Sequence, residues 1–250
     1  MYKLIGCTLA ALPLLAAPAM AQSLSGSVGV SVTQAPDYLG SDHYETRVLP
    51  DVNLRYGEQF YLNLRDGLGW NIYHHQGLTL SPFIGYVPGR DNEGDLSRFD
   101  QVDGGLTGGL RLQYRPGPWN VTLKAQAPMT GDMDGYQVTL RAGWQQSLTP
   151  EWSAGIGPSL TYSSKEWTQS LFRVSARDAL KSGFQRYEPG DGYWRLGLSG
   201  HVNYRFASHW SVTGLAGITQ LTGDAKDSPI VRDAGDDVQA LAGMVLSYHF

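Results

Sequence analysis

The sequence predicts a transmembrane antiparallel β-barrel, an all-β fold of twelve strands with both termini on the periplasmic side of an outer membrane. Three observations predict it. The chain finishes on a segment in which every second side chain is apolar: Val238, Ala240, Ala242, Met244, Leu246, Tyr248 and Phe250, with Gln239, Gly243, Ser247 and His249 between them. One face of such a strand suits lipid and the other tolerates water, which is the period-two pattern of a barrel wall. At the other end, Lys3 precedes an apolar run from Leu9 to Ala17 interrupted only by Pro13, and Ala19-Met20-Ala21 forms a small-x-small cleavage site. These mark a secretory signal peptide over residues 1–21, so a single barrel domain is expected over 22–250. Third, 31 glycines, 14 tyrosines and 7 tryptophans accompany a mean hydropathy of −0.26. No later run approaches the ~20 apolar residues of a spanning helix. Half of each strand faces a polar lumen, so the average conceals the membrane.

The elements follow in chain order. Strands are expected at 24–33 and 46–56, separated by a polar loop. Between Phe60 and Val87 the number of strands must be odd, because a periplasmic turn has to connect to an outer loop and the total must be even. A plain count of apolar runs gives eleven. Arg65-Asp66-Gly67 and His74-His75-Gln76-Gly77 are hairpin signals. Dividing there gives 59–65, 67–73 and 77–87, and the total becomes twelve. The rest are 103–115, 118–127, 136–148, 152–163, 193–206, 210–222 and 238–250. In 193–206, Leu196, Leu198, Val202, Tyr204 and Phe206 oppose Arg195, Ser199, His201, Asn203 and Arg205. That period leaves no room for a helix. Trp119, Trp152 and Trp210 each open a strand after a tight turn and share parity with its apolar set, as an aromatic girdle requires. Long polar segments at 34–46, 88–103, 128–135, 163–192 and 223–237 are expected as outer loops. Only 174–182 suggests a helix. The 163–192 loop is the expected plug, because it is the longest and carries Trp167, Leu171 and Phe172.

Composition excludes several chemistries. Cys7 is the only cysteine and lies in the signal, so the mature chain has no disulfide, thiol nucleophile or thiolate metal site. Leu4-Ile5-Gly6-Cys7 has the makings of a lipoprotein box but precedes the apolar run, so lipidation is not expected. The net charge of −4 becomes one unit more negative when Lys3 is lost. No basic run suits nucleic acid.

Charge is distributed by side of the wall. Arg55, Arg111, Arg115, Lys124, Arg141, Arg195 and Arg205 share the lumen parity, whereas nineteen of the 23 acids fall in or beside the outer loops. A solvated loop surface with internal ion pairs accounts for this. So would an anion-favouring interior, or outer loops holding divalent cations shared with lipopolysaccharide. Asp91-Asn92-Glu93-Gly94-Asp95 offers oxygens but lacks calcium-loop spacing. Ser199, His201 and Asn203 have the residue types of a hydrolase relay, but neighbours two apart on a strand project in parallel and cannot converge. Asp42-His43 and His74-His75 are read as solvated pairs. Neither a catalytic residue nor a cofactor or metal site is expected. Leu246, Tyr248 and Phe250 are the expected signal for the barrel-assembly machinery, and outer-membrane lipid is the expected surround.

The segments Ala35-Pro36-Asp37-Tyr38-Leu39-Gly40-Ser41-Asp42, Arg47-Val48-Leu49-Pro50, Gly67-Leu68-Gly69-Trp70, Gly155-Ile156-Gly157-Pro158-Ser159-Leu160 and 223–232 resemble the MipA/OmpV family of outer-membrane proteins. The resemblance runs through essentially the whole mature chain. It implies an outer-membrane barrel without a catalytic motif. It also implies a scaffold for peptidoglycan remodelling that brings a murein lytic transglycosylase together with a penicillin-binding protein. Other members are described as adhesins or as affecting antibiotic passage, so a narrow pore or uptake channel, or a surface adhesin, is the competing expectation. Ser228-Pro229 and Pro36-Asp37 within these segments are read as turn chemistry.

Overall fold

Alternating apolar and polar side chains produce long, regular strands in the computed structural model, which describes residues 23–90, 92 and 94–250. The expected signal peptide, Cys7, Asp91 and Glu93 lie outside the described residues. In chain order the strands are β1 (Leu24–Pro36), β2 (Tyr44–Tyr56), β3 (Phe60–Asn63), β4 (Gly67–Trp70), β5 (Tyr73–His75), β6 (Leu78–Val87) and β7 (Gly105–Tyr114). They continue with β8 (Trp119–Pro128), β9 (Gln137–Ser147), β10 (Trp152–Ser163), β11 (Tyr193–Ala207), β12 (Trp210–Leu221) and β13 (Val238–His249). Each pairs antiparallel with its sequence neighbour, except that β4 and β5 do not pair with each other. They are successive pieces of one wall strand, both paired with β6, through Leu68↔Ile84 and Tyr73↔Leu80. The wall therefore has twelve strands, as parity requires. It closes where β1 meets β13, from Ser27↔His249 to Gln34↔Ala242. Gly26 and Phe250 exchange both backbone bonds, at 3.0 and 3.1 Å. An edge left open in lipid would strand backbone groups at several kcal/mol each, which is why the terminal strands pair.

Register separates the two faces. Trp210, Val212 and Ile218 align with Tyr248, Leu246 and Ala240 across β12–β13, and this set faces outward. Trp119, Trp152 and Trp210 are about half exposed on the outer surface at the end bearing the short turns. There Trp152 stacks on Tyr204 with centroids 4.4 Å apart, and Trp210 meets Tyr248 edge-on at 5.2 Å. A second aromatic cluster, Tyr136, Tyr162 and Trp194, marks the opposite boundary. The turns are built by position-specific residues. Gln76 and Gly77 both take positive φ, 48° and 80°, the conformation a two-residue hairpin needs. His74 therefore stays on the strand, sharing a 2.8 Å hydrogen bond with Thr79.

Two features depart from the sequence expectation. The strand expected at 59–65 is shorter as observed, and the one expected at 67–73 is broken into β4 and β5. The hairpin turns at Leu64–Asp66, within a residue of the turn expected at 65–67, near the upper end of β6 but well below that of β2. β2 bonds to β3 only from Asn53 to Tyr56. Above that level, residues 44–51 of β2 pair with β1 alone among the described residues. The wall thus has a notch between β2 and β6.

The outer loops also hold more helix than the single segment expected at 174–182. α1 (Lys165–Phe172), α2 (Ala176–Ser182), α3 (Gly223–Asp227) and α4 (Pro229–Arg232) pack across the mouth. The missed signals are caps. Ser164 accepts from the Trp167 N–H, and Ser175 forms a capping box with Asp178. Ser228-Pro229 is a helix start rather than a turn, with Ser228 capping and Pro229 in the first turn of α4.

Candidate functional site in the barrel lumen

The plug defines the upper limit of the lumen. Trp167, Leu171 and Phe172 of α1 are buried with Tyr193, Leu221 and Val231 in one apolar cluster, and Leu96, Phe99, Val174 and Ile230 form a second. Phe172 meets Tyr193 edge-on at 5.4 Å. Ser228 Oγ donates to the Phe172 carbonyl at 2.7 Å, tying α4 to α1. Buried Arg90 reaches the Leu171 and Asp100 carbonyls, and burial lowers its guanidinium below the ordinary arginine value.

Asp178 is the polar pivot of the plug. Its carboxylate accepts from the Asp100 N–H at 3.0 Å, the Ser175 N–H at 3.1 Å and the Ser175 hydroxyl at 2.6 Å. Burial alone would raise its pKa. The bonds from Ser175 and Asp100, with the Arg90 charge, outweigh burial and hold it below the ordinary aspartate value. A carboxyl depressed in the folded state stabilises above its unfolded pKa, and that stability is lost as pH falls through the folded value. Acidification below about pH 4 should therefore loosen α2 first. Hydrogen exchange at Ala179 and Gly183 checks it: exchange that stays unchanged while the barrel strands remain protected would refute the assignment.

Beneath the plug, the tip of the β3–β4 hairpin points into the barrel. Asn63 Oδ1 accepts from the Asp66 N–H at 2.7 Å, and Gly67 takes φ 82°, so the turn folds tightly. The Asp66 carboxylate then lies among three cations carried by β7, β8 and β9. Arg111 Nη1 is 3.2 Å from Oδ2, while Lys124 Nζ and Arg141 Nη1 are each 3.9 Å from Oδ1. Only the Arg111 contact is a hydrogen bond; Oδ1 has no direct partner. At that longer distance the attraction is coulombic or water-bridged. Aromatic rings hold the cations in place. Arg111 lies 3.9 Å over Tyr61, and Lys124 lies 4.5 Å over Phe83. Glycine makes room for both rings: a Cβ at Gly69 would fall 2.1 Å from Tyr61 Cζ, and one at Gly109 would fall 2.7 Å from Phe83 Cζ.

A cavity of about 930 Å³ adjoins this cluster, lined by Arg55, Arg65, Asp66, Arg111 and Arg115 among others. Of the seven basic residues singled out in the sequence, Arg55, Arg111 and Arg115 line it directly, and Lys124 and Arg141 join them through Asp66. Arg195 and Arg205 lie elsewhere on β11. Arg195 is opposite Leu221 near the plug, and Arg205 is at the turn end, where its N–H donates to the Glu151 carbonyl. Asp66 itself escaped the sequence reading. Ser199, His201 and Asn203 form no relay, since Asn203 Nδ2 donates instead to Thr213 at 2.8 Å. A groove of about 920 Å³ on the lipid face, where Gly200, Gly214, Ala216 and Ala242 thin the wall, has no Asp, Glu, Lys or Arg in its lining. Tyr248 and Leu246 face lipid opposite Val28 and Val30.

A closed antiparallel barrel with an apolar belt between aromatic girdles and a charged interior is an integral protein of the bacterial outer membrane. The chain belongs to the family described as MltA-interacting protein MipA, whose sequence model matches residues 28–250. It is 34% identical over 77 residues to the MltA-interacting proteins of Escherichia coli (strain K12) and Shigella flexneri. That stretch is 31% of this chain and 30% of each relative, so the likeness spans less than a third of their length. An outer-membrane channel from Pseudomonas putida F1 is similar at 14% identity over 94% of this chain and 99% of that one, with a TM-score of 0.45. A loop-deletion form of an outer-membrane protein of Vibrio cholerae gives 8% identity over 91% and 98%, with a TM-score of 0.40.

Proposed function

We propose that this barrel is a non-enzymatic interaction protein that holds peptidoglycan-remodelling enzymes, a lytic transglycosylase together with a penicillin-binding protein, at the periplasmic face of the outer membrane. The observation that carries the reading is membership of a family described by its interaction with MltA. The architecture is compatible with it. The outer mouth is filled by four helices packed on two apolar clusters, whereas among the described residues the other end carries only short turns. Those turns, around Glu58, 115–118, Glu151 and His209, offer the surface available to a partner in the periplasm.

Crosslinking in intact envelope, followed by capture of the tagged barrel, tests the proposal. A lytic transglycosylase should be recovered, and Glu58→Lys with Glu151→Lys should reduce recovery roughly tenfold, as loss of a few central contacts does in other interfaces. Capture of a folded barrel without any such enzyme would refute it.

A further inference from the structure

The notch between β2 and β6 has a chemical consequence for the lumen. Ladder alternation fixes which way its edge faces. Gly57 N–H donates to the Ser23 carbonyl on the β2 side of β1, whereas Gly26 exchanges bonds with Phe250 on the β13 side. Even-numbered residues of β1 therefore turn their backbone groups toward β13. In antiparallel pairing, their partners on β2 turn away from β1. Val32↔Val48 and Val30↔Pro50 are such pairs. The backbone groups of Val48 and Pro50 thus point into the notch, where no strand meets them among the described residues. Pro50 is tolerated there because it has no N–H to leave unsatisfied on an edge. A bare edge facing hydrocarbon would cost several kcal/mol per group. The notch must therefore be lined by something that offers hydrogen bonds as well as apolar contact.

What lies behind the notch is charged. The 930 Å³ cavity includes Leu49, Pro50, Val52 and Leu64 at the notch together with the lumen arginines, and its volume is in the range of small-molecule sites. Three acids, Asp51, Glu58 and Asp66, share the lining with Arg55, Arg65, Arg111 and Arg115. Asp66 already serves Arg111, Lys124 and Arg141, so positive charge remains in excess. Arg55 and Arg115 face the cavity and form no ion pair among the described residues, and Arg111 Nε is buried without a partner. Arg115 lies near enough to both Arg55 and Arg111 to be repelled by them. The plug closes the route from above. We propose that the lumen opens sideways through the notch and binds single-chain amphipathic anions from the outer leaflet. Arg55, Arg111 and Arg115 hold the head, and Leu49, Val52 and Leu64 line the path of the chain.

The test uses the full barrel reconstituted in phosphatidylcholine vesicles, with heat-modifiable gel mobility as the check on folding. The probe is a fluorescent conjugated-polyene fatty acid, compared with its alcohol and with acetate. The acid should bind saturably, and Arg55→Ala with Arg115→Ala should weaken it roughly tenfold or more, as loss of charge-assisted bonds to a carboxylate does. Neither the alcohol nor acetate should compete at equal concentration. A diazirine derivative of the acid should label 48–52 and Leu64, and Leu64→Trp, which fills the notch, should slow its uptake. Equal binding of the alcohol, or full affinity in the double arginine variant, would overturn the head-group assignment. Competition by acetate would make this an aqueous anion site. Labelling spread evenly over the lipid face would overturn the sideways route.

Discussion

Asp66→Asn should be the most damaging single substitution inside the barrel. It removes the one carboxylate shared by Arg111, Lys124 and Arg141, whose side chains are only 10, 10 and 40% exposed. Breaking a buried pair by deleting one partner costs about 3 kcal/mol or more, because the remaining charges stay desolvated without compensation. Lumen water moderates that cost, most of all at Arg141. Urea unfolding of the barrel in micelles should show a loss of about 3 kcal/mol relative to the parent. Most of it should return in Asp66→Asn with Lys124→Met, where one repelling charge is gone. A parent-like midpoint for Asp66→Asn would show that the cluster is held by the aromatic rings and not by the carboxylate.

The second large effect should follow from Phe172→Ala. Phe172 is fully buried between α1, Tyr193 and Val231 in the cluster that closes the mouth. Deleting such a ring typically costs about 3–5 kcal/mol. The ladder of the wall does not depend on it, so the loss should fall on the plug and leave the barrel folded. In planar bilayers the parent should be silent or nearly so, and Phe172→Ala should show openings selective for anions, since the lumen below is arginine-rich. Arg111→Ala added to it should weaken that selectivity. Steady anion conductance by the parent that shortening 163–192 leaves unchanged would place the pore above the interaction protein as the reading of this molecule.

The barrel was legible because its wall is written in the simplest code available, alternation of two. Val238 to Phe250 states strand, lipid face and closure together, and β13 does pair antiparallel with β1. Strand parity also required the hairpin at Arg65-Asp66-Gly67 before any geometry was known. Its height was not legible. Nothing local distinguishes a hairpin that reaches the rim from one that stops short, because the difference lies in how far β2 outruns it. For the same reason Asp66 was missed: a carboxylate in a turn reads as solvated unless the turn is known to sit inside the barrel. The plug helices failed differently. α1 has eight residues and α4 has four, too short for periodicity to register. The caps at Ser164, Ser175 and Ser228 were the available signal.

The β3–β4 hairpin is the least anchored part of the wall. Four register pairs join β3 to β2 and two join β4 to β6, where the neighbouring β6–β7 seam has ten. Native proteins open in cooperative pieces whose free energies follow such anchoring, from fraying segments up to the global value. This hairpin is therefore a separate foldon of low stability embedded in a rigid cylinder. It also carries the central carboxylate of the interior. A subglobal opening that lifts the tip would expose Arg111, Lys124 and Arg141 together, making the inner field more positive without disturbing the long seams. The barrel's permanence and its internal charge are set by different parts of the chain, with different lifetimes.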